Sequence, residues 1–339
     1  MRKKYSFQFL ILAGLIFLVS AFYSLPYYIS KPGMAKELEP IIEVEGGNDE
    51  EGSFMLTTIR MGKANIYSYA IAKFSKYQEL YPVEDIRSKD ESEEEYSKRQ
   101  FHMMDSSKLN AIGVAYKKAG LKVDYRFKGI YVLHVVPDMP AAGKLFPGDR
   151  ITKIDNKGFQ SVKDFIAYVS GKKRGDIVDV TYERKGKVDK VKITVKSFKN
   201  EPKKVGIGIG PVVDKELIVN PKVTIDTEEI GGPSAGLMFS LEIYNQLVKD
   251  DLTKGYKIAG TGTIESDGTV GRIGGIEQKV VAADKADADI FLAPHENGTD
   301  DSNYQLALQT AKDIGSSMKI IPINTFEEAV SYLEDLKEK

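Results

Sequence analysis

One serine stands in a glycine-rich turn that leads into an apolar segment. Ser234 lies within Glu229–Leu241, and two glycines and a proline directly precede it. Apolar residues recur at helical spacing over Ala235–Val248, which predicts that Ser234 sits at or just before the first turn of a helix. The unpaired amides of a helix start can receive the negative charge of an acyl-transfer intermediate. Serine is also a favoured N-cap, so the turn alone leaves both roles open.

A lysine provides the second chemical group. A predicted helix follows Gly274, and in it Ile276, Val280 and Ala283 form an inward apolar stripe with Lys279 close beside it. Desolvation beside an apolar face lowers the pKa of a lysine and makes a neutral amine available as a proton acceptor. The alternative is a lysine that extends its ammonium group to water.

Composition removes several other chemistries. The chain has 339 residues, 42% of them hydrophobic, which is enough for two or three domains with packed cores. It has no cysteine, so thiol nucleophiles, disulfides and thiolate metal sites are excluded. A net charge of -1 gives no general case for nucleic-acid binding. The three histidines, His102, His134 and His295, form no ligand-spaced pair, so we expect no metal and no cofactor.

The amino terminus reads as a membrane anchor. The basic residues Arg2–Lys4 precede Phe7–Ile29, an almost wholly apolar run that is long enough to span a bilayer as a helix. Positive charge in front of the run predicts that residues 1–6 form a cytoplasmic tail and that the chain after the run is extracellular. The protein would then cross the cell membrane once. A cleaved signal peptide is the competing interpretation, with Val19–Ala21 as the cleavage site.

The stretch from residue 30 to 121 reads as an opening part of a domain followed by a connector. Strands are predicted within Ile41–Ile59 and a helix within Asn65–Tyr81. The strands lack a small domain of their own, so we expect them to join a sheet formed later in the chain. The charged run Glu84–Arg99 predicts a solvated connector or helix surface, and Ser106–Ala119 predicts another helix.

Short strands and turns dominate residues 122–198. The strand after Gly129, the Pro-Asp-Met-Pro-Ala-Ala turn that begins at Pro137, the Pro-Gly-Asp-Arg-Ile run that begins at Pro147 and the strand pair around Arg184–Lys187 resemble a PDZ domain of the bacterial protease-associated type. The resemblance implies that a peptide pairs with an exposed strand beside a helix. Carried over, the groove residues are Ile130, Tyr131, Val132, Phe165, Ile166 and Val169, for each of which plain core packing is the alternative.

The last part of the chain, which we expect to form one domain over residues 199–339, resembles the proteolytic domain of the Lon family from about Val205 to Glu334. The matching motifs are Gly-Pro-Ser-Ala-Gly at Ser234, Thr-Gly-Thr-Ile at Thr261 and Gly-Gly-Ile-Glu-Gln-Lys at Lys279. The resemblance implies a serine nucleophile, a lysine general base and a threonine that supports them, with Gly232, Pro233 and Ala235 forming the oxyanion turn. The chemistry agrees, because a serine needs a nearby base before it can attack a carbonyl. A hydrolase that uses His295 as the base is a competing interpretation.

Two positions depart from the common Lon pattern. Gly231 and Thr263 stand where many members have an aspartate and a glutamate, which puts in doubt any tuning of the site by those carboxylates. The sequence also contains no Gly-x-x-x-x-Gly-Lys-Ser/Thr phosphate loop, so we expect no ATP requirement.

The order of anchor, PDZ module and protease resembles the membrane-anchored Lon-like peptidases of Gram-positive bacteria. The fold class expected is therefore α+β, with a transmembrane helix at 7–29, a PDZ domain at 122–198 and a Lon-type α/β protease domain with a Ser–Lys dyad. The resemblance implies an ATP-independent serine endopeptidase acting on exported peptides or small membrane proteins, and it leaves an oligomer open. An inactive, membrane-tethered PDZ adaptor is the alternative.

Overall fold

The described part of the chain contains both strands and helices. The computed structural model describes residues 14, 18, 20–87, 91–228 and 230–339. The strands in these residues are β1 (Ser24–Glu37), β2 (Ile42–Val44), β3 (Ser53–Asn65), β4 (Glu79–Pro82), β5 (Val123–Val135), β6 (Arg150–Ile154), β7 (Lys157–Gly158), β8 (Ile177–Arg184), β9 (Lys187–Thr194), β10 (Lys196–Ser197), β11 (Val205–Gly206), β12 (Ile209–Val219), β13 (Val223–Ile225), β14 (Lys257–Gly260), β15 (Thr263–Ile264), β16 (Val270–Gly271), β17 (Ile290–Pro294) and β18 (Lys319–Ile323). The helices are α1 (Ile66–Phe74), α2 (Val83–Ile86), α3 (Glu93–Lys118), α4 (Val162–Ser170), α5 (Gly236–Leu247), α6 (Ile276–Asp284), α7 (Asn303–Asp313) and α8 (Phe326–Glu334), with one 3₁₀ turn at Glu296–Gly298.

These elements divide into two units. The first contains the described residues up to 43 together with residues 47–89 and 234–339, and the second contains residues 44–46 and 90–233. The first unit is therefore built from two distant parts of the chain. The fold is mixed α+β, as the sequence predicts.

The sheet of the first unit has the strand order β18-β17-β14-β3-β1-β4. The pairs β14–β17, β17–β18 and β14–β3 are parallel, whereas β1 pairs in antiparallel fashion with β3 and β4. All five residues of β17 are buried, in keeping with a parallel strand covered on both faces. The pairing of β3 with β14 joins the early strands to the later ones in one sheet.

The predicted membrane helix at 7–29 disagrees with the structure at its carboxyl end. Ser24–Ile29 belongs to strand β1, where β3 and β4 pair with Tyr28 and Ile29 on both sides, and both side chains are buried. A continuous apolar run does not by itself separate a bilayer helix from a buried strand. Most of the remaining run lies outside the described residues. Among the residues that the structure describes, no helix is both long and apolar enough to cross a membrane.

The sheet of the second unit has the order β12-β5-β6-β8-β9, and β7 pairs with β6. Its core contains the buried residues of β5, β6, β8 and β9 together with Phe165 and Val169 of α4. The sheet continues past residue 198, because β12 pairs with β5 along eleven residues of each strand, from Ile209↔Val135 to Val219↔Val123.

The expected peptide-pairing edge at Ile130–Val132 is wrong. β12 pairs with β5 on one side and β6 pairs with it on the other, so Ile130 and Val132 are fully buried and their backbone groups are already used. Tyr131 is half-buried and stacks on His102. Of the expected wall residues on α4, Phe165 and Val169 are core residues and only Ile166 is exposed. The outermost strand on this side of the sheet is β12.

Two buried carboxyl groups meet inside the first unit. Glu242 of α5 is fully buried and Glu50 lies in the loop before β3. Glu50 Oε2 accepts a hydrogen bond from Asn245 Nδ2 at 3.1 Å, and Glu242 Oε1 accepts one from Gln246 Nε2. Burial is the main cause that raises the pKa of both groups, with their mutual repulsion added for Glu50.

The substitution Glu242→Gln should make the stability of the protein less dependent on pH. A carboxyl whose pKa is raised on folding contributes stability at low pH and loses it as pH rises from about 4.5 through the raised pKa. An amide of the same shape does not titrate. The free energy of unfolding of Glu242→Gln, relative to that of the wild type, should therefore increase by more than about 1 kcal/mol between about pH 5 and pH 9. Urea unfolding measures this difference. The exposed neighbour Glu51→Gln is the control, and equal pH dependence in both variants would refute the assignment.

Candidate active site

Ser234 lies immediately before helix α5. The helix begins at Gly236 with Ala235 as its N-cap, and no side chain caps its amides. Ser234 therefore does not act as the N-cap, which removes the structural alternative left open by the sequence. Its carbonyl oxygen accepts hydrogen bonds from the Gly262 amide at 2.9 Å and from Thr261 Oγ1 at 2.9 Å. These two bonds fix the backbone of Ser234 against the segment that follows β14.

Lys279 is brought to Ser234 by helix α6. The helix begins after Gly275, whose φ of 70° is in the left-handed region, and an added Cβ there would approach Ile59 Cγ2 to 2.8 Å. Asn303 holds the entry to this turn by accepting a hydrogen bond from the Ile273 amide and donating one to the Ile273 carbonyl. Ile276 and Val280 pack into the core on the same helix.

The amine of Lys279 lies among three uncharged oxygens. Lys279 Nζ is 2.8 Å from Ser234 Oγ, 3.0 Å from Thr261 Oγ1 and 2.8 Å from the carbonyl oxygen of Thr57. The lysine is only 2% exposed. No carboxylate stands among these partners to compensate an ammonium charge, and burial lowers the pKa of Lys279 to about 7.

The hydrogen-bond inventory determines which way the proton of Ser234 points. A neutral amine has two hydrogens and one lone pair. The Thr57 carbonyl can only accept a hydrogen bond, and Thr261 Oγ1 already donates its own hydrogen to the Ser234 carbonyl. Both oxygens therefore accept a hydrogen bond from Lys279. The lone pair is then left for the Ser234 hydroxyl. This arrangement is that of a serine whose proton is ready to pass to a neutral base.

The oxyanion turn is only partly as expected. The Gly232 amide donates to the Gln100 carbonyl at 2.9 Å, so it is already used, and Pro233 has no amide hydrogen. The φ of Gly232, 88°, gives this residue a role in shaping the turn. The amides of Ser234 and Ala235 remain as the candidate oxyanion donors.

One group of the site lies outside the set of residues chosen from the sequence. The backbone carbonyl of Thr57 contacts Lys279, and a carbonyl has no signature in the sequence because every residue carries one. Thr57 is held in place because its hydroxyl donates to the Gly260 carbonyl at 3.0 Å. His295, the competing base, packs edge-on against Tyr304, while Ser234 Oγ contacts Lys279.

Comparisons with known proteins match two parts of the chain to protein families. The family profile described as Lon protease C-terminal proteolytic domain matches residues 216–334, and the profile described as PDZ domain matches residues 110–195. The chain carries a PDZ domain and a Lon-type serine peptidase domain.

Similarity to individual Lon proteases is confined to a part of each. The Lon protease of Campylobacter jejuni is 32% identical over 133 residues, which cover 35% of this chain and 16% of that protein. The Lon protease of Neorickettsia sennetsu is 31% identical over 101 residues, which cover 30% of this chain and 11% of that protein. The match thus spans less than a fifth of the length of either relative.

Among solved structures, the chain is similar to the PDZ domain of an SdrC-like protein from Listeria monocytogenes. The two are 38% identical, and the match covers 26% of this chain and 90% of that one with a TM-score of 0.24. The PDZ domain of an SdrC-like protein from Listeria innocua is 41% identical, with 25% and 93% covered and a TM-score of 0.23.

Peptidase activity should rise with pH through about 7, the pKa of Lys279. Only the neutral amine accepts the serine proton, so kcat/KM should fall about tenfold per pH unit well below that value. The measurement is a pH–rate profile on a fluorogenic peptide. Lys279→Arg should be inactive at every pH because a guanidinium stays protonated. A profile that is flat from about pH 5 to pH 8 would contradict a lysine base.

The substitution Thr261→Val should lower kcat by roughly 10- to 100-fold, the range typical of a lost supporting interaction. It removes both the acceptor for the Lys279 amine and the donor to the Ser234 carbonyl. Thr261→Ser keeps the hydroxyl and is the matched control, for which we expect activity within a few-fold of the wild type. Steady-state kinetics compare the two. If valine and serine variants were equally active, the hydroxyl would have no part in holding the dyad.

Proposed function

We propose that this protein is an ATP-independent serine endopeptidase in which Ser234 is the nucleophile and Lys279 the general base. The observation that carries the proposal is the 2.8 Å contact between Ser234 Oγ and a buried lysine amine whose other two partners fix its lone pair on the serine. The cleavage chemistry proposed for Ser234 and Lys279 does not itself consume ATP, and this sequence contains no Gly-x-x-x-x-Gly-Lys-Ser/Thr phosphate loop.

The reaction follows from the positions of the groups. Lys279 Nζ takes the proton of Ser234 as Oγ attacks the scissile carbonyl, and the amides of Ser234 and Ala235 receive the oxyanion. The resulting ammonium returns the proton to the leaving amine, which yields an acyl-enzyme and a free amino-terminal end. Water then attacks the ester while one of its protons passes to Lys279, and the lysine ammonium returns that proton to Ser234 Oγ as the ester bond breaks, which releases the new carboxyl end and restores the free serine and the neutral amine.

Substrates would be peptides or small proteins in extended form, captured by the PDZ domain. β12 is the outermost strand of its sheet, and an extended peptide can add to such an edge by main-chain hydrogen bonds. Helix α4 packs beside β12 and carries the exposed Ile166, which is suited to contact a peptide side chain. The edge at β12 thus takes the place of the one expected at Ile130–Val132.

We further propose that the protein is membrane-anchored and acts on exported substrates, like the Lon-like peptidases of Gram-positive bacteria. The support is the basic cluster Arg2–Lys4 followed by the apolar residues from Phe7 onward. With Ser24–Ile29 in strand β1, the anchor would be Phe7–Tyr23, close to the minimum of about 17 residues for a spanning helix.

Wild-type protein should cleave a labelled, unstructured polypeptide without ATP, and Ser234→Ala should lower kcat by at least about 1,000-fold, since the nucleophile is lost. Mass spectrometry of the products identifies the cut bonds, and added ATP should change nothing. Equal cleavage by wild type and Ser234→Ala would refute the dyad. Binding without cleavage by either would favour the inactive adaptor.

A matched experiment addresses the anchor. Full-length protein expressed in a Gram-positive cell should fractionate with membranes and be degraded by protease added to intact protoplasts. Replacing two central residues of the apolar run, Leu15→Lys and Leu18→Lys, should release it from the membrane fraction. A soluble wild-type protein or one that protease cannot reach would contradict this arrangement.

A further inference from the structure

Two backbone groups just before Ser234 are held by one helix. Ser107 Oγ of α3 donates a hydrogen bond to the Pro233 carbonyl at 3.0 Å, and the Gly232 amide donates to the Gln100 carbonyl of α3 at 2.9 Å. Residues 100 and 107 are seven apart, which places them two turns from each other on the same face of the helix. The turn is therefore held at two peptide groups, 231–232 and 233–234, with one peptide group between them.

Ser107 is an unusual residue for its place. It is only 3% exposed, and it lies in a buried row of α3 with Met104 and Ala111. A buried hydroxyl costs free energy unless it forms a hydrogen bond, and a serine inside a helix commonly satisfies that need with a carbonyl of its own helix. Ser107 instead bonds to the Pro233 carbonyl, so its hydroxyl serves the turn and not the helix.

The bond from Ser107 acts on the peptide group that ends in the Ser234 amide. In a trans peptide the carbonyl oxygen of one residue and the amide hydrogen of the next point in opposite directions within one plane. Fixing the Pro233 oxygen thus fixes the direction of the Ser234 N–H. Proline contributes no amide hydrogen and a nearly constant φ, so the carbonyl is the point at which this plane can be held.

We propose that Ser107 is a positioning residue for the peptidase reaction. It holds the Pro233–Ser234 peptide plane so that the Ser234 amide faces the developing oxyanion. This inference rests on the proposed peptidase function and adds a residue to it that lies 127 positions before the nucleophile in the chain. Preorganised donors matter more in the transition state than in the ground state, so loss of Ser107 should affect kcat and not KM.

The test compares Ser107→Ala with Ser107→Thr and with Ser106→Ala in the full-length protein. Ser106 is the exposed neighbour on the same helix and lacks the contact to Pro233, whereas threonine keeps the hydroxyl. The readouts are kcat and KM on a fluorogenic peptide, and the affinity for a peptide boronate, whose tetrahedral adduct with Ser234 places an oxygen where the oxyanion forms. Thermal melting of each variant reports whether the fold is kept.

We expect Ser107→Ala to lower kcat and boronate affinity by about tenfold or more, with KM nearly unchanged. This loss is smaller than the one caused by removing an oxyanion donor itself, because the Ser234 amide is still present. Ser106→Ala and Ser107→Thr should stay within about threefold of the wild type. If Ser107→Ala keeps wild-type kcat and boronate affinity, the inference fails. It also fails if Ser107→Thr loses as much as Ser107→Ala does while melting at the wild-type temperature.

These results separate the inference from the function on which it rests. Cleavage that depends on Ser234 but is indifferent to Ser107 would overturn only the positioning role. Absence of Ser234-dependent cleavage in the wild type would overturn the peptidase function and the positioning role together. If Ser107→Ala does not fold, the decisive comparison is Ser107→Thr against Ser107→Val, which have the same shape and differ by the hydroxyl; equal kcat and boronate affinity in that pair would refute the role.

Discussion

The site depends on the burial of the Lys279 amine. Lys279 is enclosed in the Lon-type domain with three neutral oxygens and no carboxylate among its partners, so its ammonium form is disfavoured and its pKa falls to about 7. A lysine in water at neutral pH would hold its proton and could not accept another from serine. The same desolvation makes the amine a base and requires that every hydrogen and lone pair on it find a partner. Two oxygens take its hydrogens, and the serine hydroxyl takes what remains.

The sheet of the first unit positions two of the partners of the Lys279 amine. Thr57 comes from β3, Thr261 follows β14, and the parallel pairing of these strands brings together residues more than 200 positions apart. Ser234 enters from the turn before α5 and is tied by its carbonyl to Thr261 and Gly262. The supporting hydroxyl of Thr261 thus touches both members of the dyad. Within the second unit, Ser107 and Gln100 hold the residues that lead into that turn.

The side chains of the dyad could be predicted from the sequence, whereas the backbone groups that contact them could not. Ser234, Thr261 and Lys279 could be chosen from the sequence because their side chains carry distinctive chemistry at distinctive spacing. The Thr57 carbonyl could not, since its role comes from the register of β3 against β14. α3 was predicted as a solvated connector and a separate helix because its many charges conceal a narrow buried row that includes Met104 and Ser107.

Long-range strand pairing explains the remaining differences. The composition of Ile130–Val132 fits an edge strand and a central strand equally well. The pairing of β12 with β5 makes it a central strand. The run Phe7–Ile29 likewise contains no charged residue that would separate strand β1 from the apolar residues before it. Local pattern gives the type of element in most of the PDZ domain, whereas the neighbours of each strand are set by segments far away in the chain.

The most direct test of this account is the titration of Lys279 itself. Full-length protein with ¹³C at the lysine ε position can be followed by NMR across about pH 5 to pH 11, a range that covers both shifted and ordinary lysines. One resonance should titrate with a midpoint near 7, and that resonance should disappear in Lys279→Met. If no lysine titrates below about pH 9, the amine is an ordinary ammonium and the account of the dyad is contradicted.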